Sequence, residues 1–510
     1  MGNRLVKKQH KVKLNKQLSS RAFKESIIKK SSTQPDKEDS RLKIRMSDFF
    51  IKNKNSIGQE YKFLNPPLGK GAYGEVRKAL HKTTNTYRAV KIINKNKLDK
   101  EDRKHVVKEA ELLKTLDHPH IVKVFETFET ENLFYIVMEY LEGKHLFDAL
   151  TQDDFKYSER SIAKIMNQLL SAITFMHKNG IMHRDIKSEN IICMGENIVL
   201  IDFGNSKKIE VNKKNKECTG TTFYIAPEVL KGRHNEKCDV WSAGVLLWVL
   251  LTGKPPFKGA NEEALDENIL NLKYAFDIDK FPNISDGALD LLKKMMEPDY
   301  KKRASASQIM KHKWLRKQKK SIKQRSYREV LERIENYQYQ SKLQEALYLY
   351  FVNTLVDKKE AEDLIQLFTE MDENGDGILS KEEIKNGLEK TGKVLTDSEL
   401  DKLFDELDLD GNGSISFGEF LAASIDKEEV LSHERISSMF KHMDRSGNGR
   451  ISIDELHYIF QNHKSIKPSN WDHLTKQLKL NRDNTMNFEE FKKLMLKIVK
   501  NDRKRSMRIN

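Results

Sequence analysis

Eight consecutive residues, His183-Arg184-Asp185-Ile186-Lys187-Ser188-Glu189-Asn190, combine side chains suited to phosphate chemistry. A carboxylate such as Asp185 can accept a hydroxyl proton, a cation such as Lys187 can sit against a transferring phosphoryl group, and an amide such as Asn190 can hold a magnesium ion. The spacing matters because one rigid loop must deliver all three groups to one phosphate. A turn capped by Asp185, with Lys187 in solvent, is the alternative reading of the octapeptide alone. A second chemistry recurs later in the chain. Asp372, Asp408 and Asp444 each open a similar stretch at a spacing of 36 residues (372 to 408 to 444), a period that a helical solenoid would share. The intervening residues favour ion binding instead. Asp372, Asn374, Asp376, Ile378 and Glu383 stand at positions 1, 3, 5, 7 and 12 of a loop with Gly377 at 6, a calcium-ligand pattern in which position 7 uses its carbonyl. Asp408, Asp410, Asn412, Ser414 and Glu419 repeat it around Gly413, and Asp444, Ser446, Asn448, Arg450 and Glu455 repeat it around Gly449. Arg450 is tolerable because only its backbone oxygen is needed.

These groups need several folded units to position them. At 510 residues the chain exceeds a single core, so two or three domains are expected. A hydrophobic share of 38% against 33% charged residues fits soluble domains with basic exposed segments. The longest apolar run, Val240 to Leu251, is too short to span a bilayer and reads as a buried helix. The N-terminus is basic and polar, with no apolar stretch of a secretory signal. Cys193, Cys218 and Cys238 lack metal-like spacing and read as reduced thiols of a cytoplasmic protein. The net charge of +15 is spread along the chain, with local excess near the N-terminus and around 311–328. That distribution suits a solvated basic surface better than a nucleic-acid partner, and leaves a membrane surface or an acidic internal partner as the alternative.

The octapeptide resembles the catalytic loop of the protein kinases, and its neighbours extend the resemblance. Gly69-Lys70-Gly71-Ala72-Tyr73-Gly74-Glu75-Val76 fits a glycine-rich phosphate loop. A dinucleotide-binding turn would be followed by a helix, whereas Glu75–Ala79 and Thr86–Ile93 alternate like two strands around a polar turn. The resemblance implies that Leu68, Gly69, Gly71, Gly74, Val76, Ala89 and Lys91 contact ATP. It also pairs Lys91 with Glu109 on the amphipathic stretch 100–116, with Glu111 as the alternative. Met138 becomes the residue at the back of the adenine pocket, and Glu139 to Leu141 offer backbone contacts to the base. Asp202 of Asp202-Phe203-Gly204 joins Asn190 in holding magnesium, Asp185 is the base and Lys187 attends the phosphoryl group. Asp239 resembles the buried anchor of the catalytic loop, and Arg303 is placed to pair with Glu228 of Ala226-Pro227-Glu228. Two departures stand out. Glu217 occupies a position where many relatives carry a phosphorylated threonine, which would let it pair with Arg184 without an upstream kinase. His145 replaces a glutamate associated with basic substrates, while Glu189 is kept. Lys187 favours serine and threonine over tyrosine as acceptor.

After Leu315 a basic segment, 316–356, becomes helical and amphipathic, the form of a target for a calmodulin-like module. Ser321 or Ser326 among its basic residues could imitate a substrate. The three calcium loops resemble EF-hands, and a fourth is visible in outline, with Glu490 at position 12 but Lys479 at position 1, where a cation opposes calcium. A kinase fused through a basic junction to four such hands resembles the calcium-dependent protein kinase family. The implied fold is α+β, a bilobal protein kinase fold followed by an all-α EF-hand domain of four helix-loop-helix units. The expected divisions are a disordered basic extension (1–60), the kinase (61–315), the junction (316–356), the EF-hands (357–500) and a basic tail (501–510). ATP, Mg2+ and Ca2+ are the implied ligands, with protein substrates and an intramolecular kinase/EF-hand contact as partners. Met1-Gly2 with Lys7 and Lys8 resembles an N-myristoylation start, although Val6 stands where Ser or Thr is wanted, so a cytoplasmic protein with or without a membrane attachment remains open.

Overall fold

In the computed structural model, residues 45–509 are described, apart from 54, 72–73, 152–156, 210–221, 276, 278–283, 317–323, 336, 338–341, 391 and 461–484. The N-terminal lobe is a sheet of seven strands: β1 (Ile51–Asn53), β2 (Tyr61–Phe63), β3 (Gly69–Gly71), β4 (Gly74–His81), β5 (Tyr87–Asn94), β6 (Val124–Glu129) and β7 (Leu133–Glu139). Their order is β1-β6-β7-β5-β4-β2, with β3 folded back on β4. The hairpin expected after the glycines is β4–β5, paired from Gly74 opposite Ile93 to Leu80 opposite Tyr87. Gly74 is required by that pairing, since a Cβ there would lie 1.8 Å from the Ile92 carbonyl oxygen. Alternation along the strands sorts the two faces. Ala79, Val90, Phe128, Tyr135 and Val137 pack with Ile57 and Tyr61 on one side. Val76, Ala89, Lys91 and Met138 share the other, because Val76 lies opposite Lys91 and Ala89 opposite Met138.

The extension is not uniformly without structure. Residues 46–60 form a short 3-10 helix (Met46–Phe49), β1 and a helical turn (Ile57–Glu60), and β1 adds to the sheet parallel to β6. Phe49, Phe50, Ile51 and Ile57 are buried, which makes this segment part of the lobe. Its few apolar residues are diluted by lysine and serine, so composition hid them. Residues 1–44, including Gly2, lie outside the described residues.

Helix α1 (Lys100–Leu113) flanks the sheet; α2 (Glu159–Lys178) and α3 (Lys237–Thr252) form the centre of the second lobe. Ser158 caps α2 by accepting from Ser161 N–H at 3.2 Å. Helix α3 carries the apolar run noted above, is buried from Cys238 to Trp248 and ends at Gly253, whose φ of 69° is left-handed. Cys193 and Cys238 are free thiols, and Cys218 lies outside the described residues.

The junction contains α4 (Gln324–Glu335) and α5 (Lys342–Leu355). The hands follow as α6 (Glu362–Met371), α7 (Lys381–Glu389), α8 (Asp397–Leu407), α9 (Phe417–Ser424), α10 (His433–Met443), α11 (Ile453–Ile459) and α12 (Phe488–Ile509). Leu379 and Ile415 join the first two loops by an antiparallel bridge. The third loop is joined to the fourth hand through β13 (Arg450–Ser452) and β14 (Thr485–Asn487), which follow the five strands β8 (Lys144–His145), β9 (Ile181–Met182), β10 (Ile191–Met194), β11 (Asn197–Leu200) and β12 (Lys207–Lys208). Residues 479–484 of the fourth loop lie outside the described residues. The basic stretch 501–509 continues α12 and is not a separate tail.

Residues 344–356 are buried without a break, polar ones included. A helix buried all round must sit between two bodies. On one side the Gln344 amide donates to the Leu494 carbonyl at 2.7 Å. On the other, Lys123 Nζ donates to the Asn353 carbonyl at 3.0 Å and Arg88 to the Thr354 carbonyl at 2.5 Å.

Candidate active site and calcium loops

Asp185 lies at the floor of the cleft between the lobes. Its Oδ2 accepts from Asn190 Nδ2 at 3.1 Å and pairs with Lys187 Nζ at 3.0 Å, and Asn190 also donates to the Asp185 carbonyl at 2.9 Å. The loop is held from beneath by Asp239 of α3, fully buried, which accepts from His183 N–H at 2.9 Å, Arg184 N–H at 2.7 Å and His177 Nε2 at 2.8 Å. Burial alone would raise the Asp239 pKa; the His177 hydrogen bond and charge, with the loop amides, hold it below the usual carboxylate value. These bonds fix Arg184 at a φ of 68°.

Lys91 bridges three elements. Its Nζ lies 2.8 Å from Glu109 Oε1 on α1 and 2.9 Å from Asp202 Oδ1. Burial pushes the Lys91 pKa down, but the two carboxylates outweigh it and push it up, keeping the ammonium charged. Lys91 in turn holds Asp202 below its usual value against burial. Glu111 is engaged elsewhere, with Lys52 at 2.7 Å and with Lys114, so Glu109 is the partner. Asp202 itself has a φ of 60°. Above it, Gly69 and Gly71 have space where a Cβ would meet nothing within 4 Å, so their lack of side chain serves no packing and leaves room for a phosphate to approach backbone amides. Leu68 is exposed at the cleft edge, its N–H on the Val76 carbonyl at 2.8 Å. Met138 packs against the main core, and Leu141 is buried. The donor pair of Asp202 and Asn190 fits magnesium held against a phosphate.

Other expected pairs are placed as follows. Arg303 grips Glu228 in a buried bidentate pair at 2.5 and 2.9 Å. His145 is drawn to the catalytic loop, its Nδ1–H donating to the Glu189 carbonyl at 2.7 Å. Glu217 and Ser321 lie outside the described residues, and Ser326 lies in α4.

The three loops share one architecture. Position 6 is left-handed in each, with φ of 81°, 83° and 78° at Gly377, Gly413 and Gly449, a turn that glycine makes without strain. The first aspartate of each loop accepts from that glycine's N–H at 2.8 Å. Position 12 folds back: Glu383, Glu419 and Glu455 each accept from the N–H of the position 9 serine, at 2.9, 2.8 and 2.8 Å. In the second loop Asp408, Asp410 and Glu419 offer oxygens within 4.8 Å of one another, the only such group among the described residues. Burial pushes Glu419 up to about 8 and Asp372 up to about 7, with neighbouring carboxylates adding to it. A divalent cation would offset that repulsion, so the donors fit calcium. Asn412 and Ser414 complete the second loop, and Ser446, Asn448 and the Arg450 backbone the third.

Sequence reasoning missed Lys358, which precedes α6. Its Nζ is buried against the Glu139 carboxylate at 2.6 Å and the Ile121 carbonyl at 2.5 Å, joining the EF-hand module to the end of β7. No local pattern marks a pair separated by 219 residues.

A cleft with this catalytic set, fused to paired calcium loops, defines a protein kinase carrying its own calcium module. The protein kinase domain model matches residues 64–315, and the EF-hand domain pair model matches 361–425 and 433–496. Calcium-dependent protein kinase 4 of Plasmodium berghei (strain Anka) is 40% identical over 363 residues, 69% of this chain and 68% of the relative. Its counterpart in Plasmodium falciparum (isolate 3D7) is 40% identical over 356 residues, 68% and 67% of the two chains. Calcium-dependent protein kinase 5 of Plasmodium falciparum is 32% identical over 403 residues, 76% and 69%. The chain belongs to the calcium-dependent protein kinase family. ATP, Mg2+ and Ca2+ are its ligands.

Proposed function

We propose that this calcium-activated serine/threonine kinase is switched by the place of its junction, residues 316–356. At resting calcium the segment blocks or misaligns the cleft; calcium-loaded hands capture it and free the cleft. One observation carries this reading: α4 and α5 lie against the EF-hands while the Lys91–Glu109 and Lys91–Asp202 pairs are closed. Val330, Leu331 and Ile334 of α4 are buried, and Arg333 donates to the Ser424 carbonyl and pairs with Asp426, both at 3.2 Å.

In the open cleft Asp185 takes the proton of the acceptor hydroxyl, Lys187 steadies the phosphoryl group and Lys91 orients the α- and β-phosphates. Asn190 and Asp202 hold magnesium, which when bound neutralises charge on the phosphates. Glu189 supports a preference for basic residues near the acceptor, and His145 weakens it by adding no carboxylate. The protein is read as cytoplasmic, with membrane attachment where Gly2 is acylated; incorporation of labelled myristate, absent in Gly2→Ala, checks that part.

The switch is tested with Ile334→Asp in the full chain and with a chain ended at Leu315. The aspartate variant should bind calcium yet remain little activated, and the short chain should ignore calcium. Full activation of Ile334→Asp would refute capture.

A further inference from the structure

Residues 49–53 carry two faces, and each face meets a different body. The Phe49 ring lies 5.5 Å from that of Tyr350 on α5 and 5.8 Å from that of Phe460 after α11. Ile51 lines one small cavity with Tyr350 and His442 of α10. Asn53 Oδ1 lies 3.5 Å from the guanidinium of Arg445 in the third loop, which also pairs with Glu60 at 3.5 Å. The odd positions therefore face the junction and the third hand. The even positions face α1. Phe50 shares a buried core with Leu112 and Leu113, and the Lys114 ammonium lies 5.6 Å from its ring centre. Lys52 Nζ pairs with Glu111 at 2.7 Å. This alternation is that of an extended strand, whose successive side chains point to opposite sides.

Helix α1 is the element whose place decides the Lys91–Glu109 pair. Glu109 and Glu111 project from it about 200° apart, so Lys91 holds the helix from the cleft and Lys52 holds it from the other side. The Lys52 and Glu111 side chains are 60% and 35% exposed, and a pair so open to water adds little to the stability of the fold.

We propose that residues 49–53 are the arm through which the docked calcium module holds α1, and with it Glu109, in the place that meets Lys91. Phe50 and Lys52 are positioning residues, acting on the phosphates only through Glu109 and Lys91. This rests on the reading of the docked junction as the calcium-captured state. When the module leaves, Phe49 and Ile51 lose Tyr350, Phe460 and His442 as cover. The arm then loosens, and α1 is held from the cleft side alone.

Phosphate transfer by the full chain across a calcium titration tests this in wild type, Lys52→Glu and the exchange Lys52→Glu with Glu111→Lys. Hydrogen exchange of 100–113 and thermal unfolding without calcium accompany it. Lys52→Glu should lower the calcium-stimulated kcat roughly three- to tenfold, because attraction between two partly exposed charges becomes repulsion. The KM for peptide and the unfolding midpoint without calcium should stay at their wild-type values. Calcium should raise the protection of α1 in wild type and raise it less in Lys52→Glu. The charge exchange should restore both kcat and protection. Glu60→Lys, which repels Arg445 at the module end of the arm, should repeat the loss of kcat. Wild-type kcat and α1 protection in Lys52→Glu overturn the proposal and leave the calcium switch intact. So does a kcat loss that the exchange fails to restore. Wild-type activity that is flat across the titration overturns both.

Discussion

Lys91 concentrates the chemistry of the cleft in one side chain. It touches Glu109 from α1 and Asp202 from the segment after β11 (Asn197–Leu200), so the active geometry is a three-way contact that any shift of α1 would open. Lys91→Met should lower phosphate transfer by about 10²–10³ with little change in peptide binding, since it removes a charge aimed at the phosphates; steady-state kinetics measures both. Arg303→Ala has a different signature. It strands Glu228 as a buried carboxylate and should cost about 3–5 kcal/mol in unfolding free energy, read by denaturant titration of the kinase transition. Asp185, Lys187 and Asn190 were legible because one loop of eight residues holds them all. The choice between Glu109 and Glu111 was not, because the strand-to-helix distance that selects one is absent from a linear pattern. Two residues apart on a helix point about 200° apart, so only one can face Lys91. Lys178 and Lys358 were invisible for a related reason: each meets its partner across separate domains, and exposed lysines are common.

At the level of elements, the strongest signals were periodic ones. The β4–β5 hairpin and α3 appeared where alternation and an apolar run placed them, because those elements bury a regular face. The short segment 46–60 has no such face. It is held by isolated contacts: the Phe49 ring lies 5.5 Å from Tyr350 of α5 and 5.8 Å from Phe460 after α11. Phe49→Ala should therefore cost about 3–5 kcal/mol of stability by opening a cavity among three elements, measured by unfolding of the full chain. The fourth hand gives a second element-scale expectation. Met486 is buried in β14 opposite Ile451, so Met486→Asp should weaken calcium at the third loop by roughly tenfold through loss of the pairing strand. Calcium titration of the variant checks it, with the second loop as the internal comparison.

For the whole molecule, the order of domains was legible because each half carries several motifs at fixed spacing. That they touch was also expected; the residues that make the contact were not legible, because they depend on complementary surfaces with no sequence period. The structure supplies that contact: Lys358 against Glu139, Arg88 and Lys123 against α5, Asp117 against α9, and Lys178 against the first loop. The calcium module and its junction thus touch both lobes, and movement of the module reaches the cleft through packed elements. The central claim is that calcium governs catalysis within this one chain. Phosphate transfer from ATP to a basic serine peptide, followed with purified full-length protein across a calcium titration and against an Asp202→Asn blank, tests it most directly. The account predicts a steep rise from near the blank to full activity; activity above the blank that is flat across the titration would contradict it.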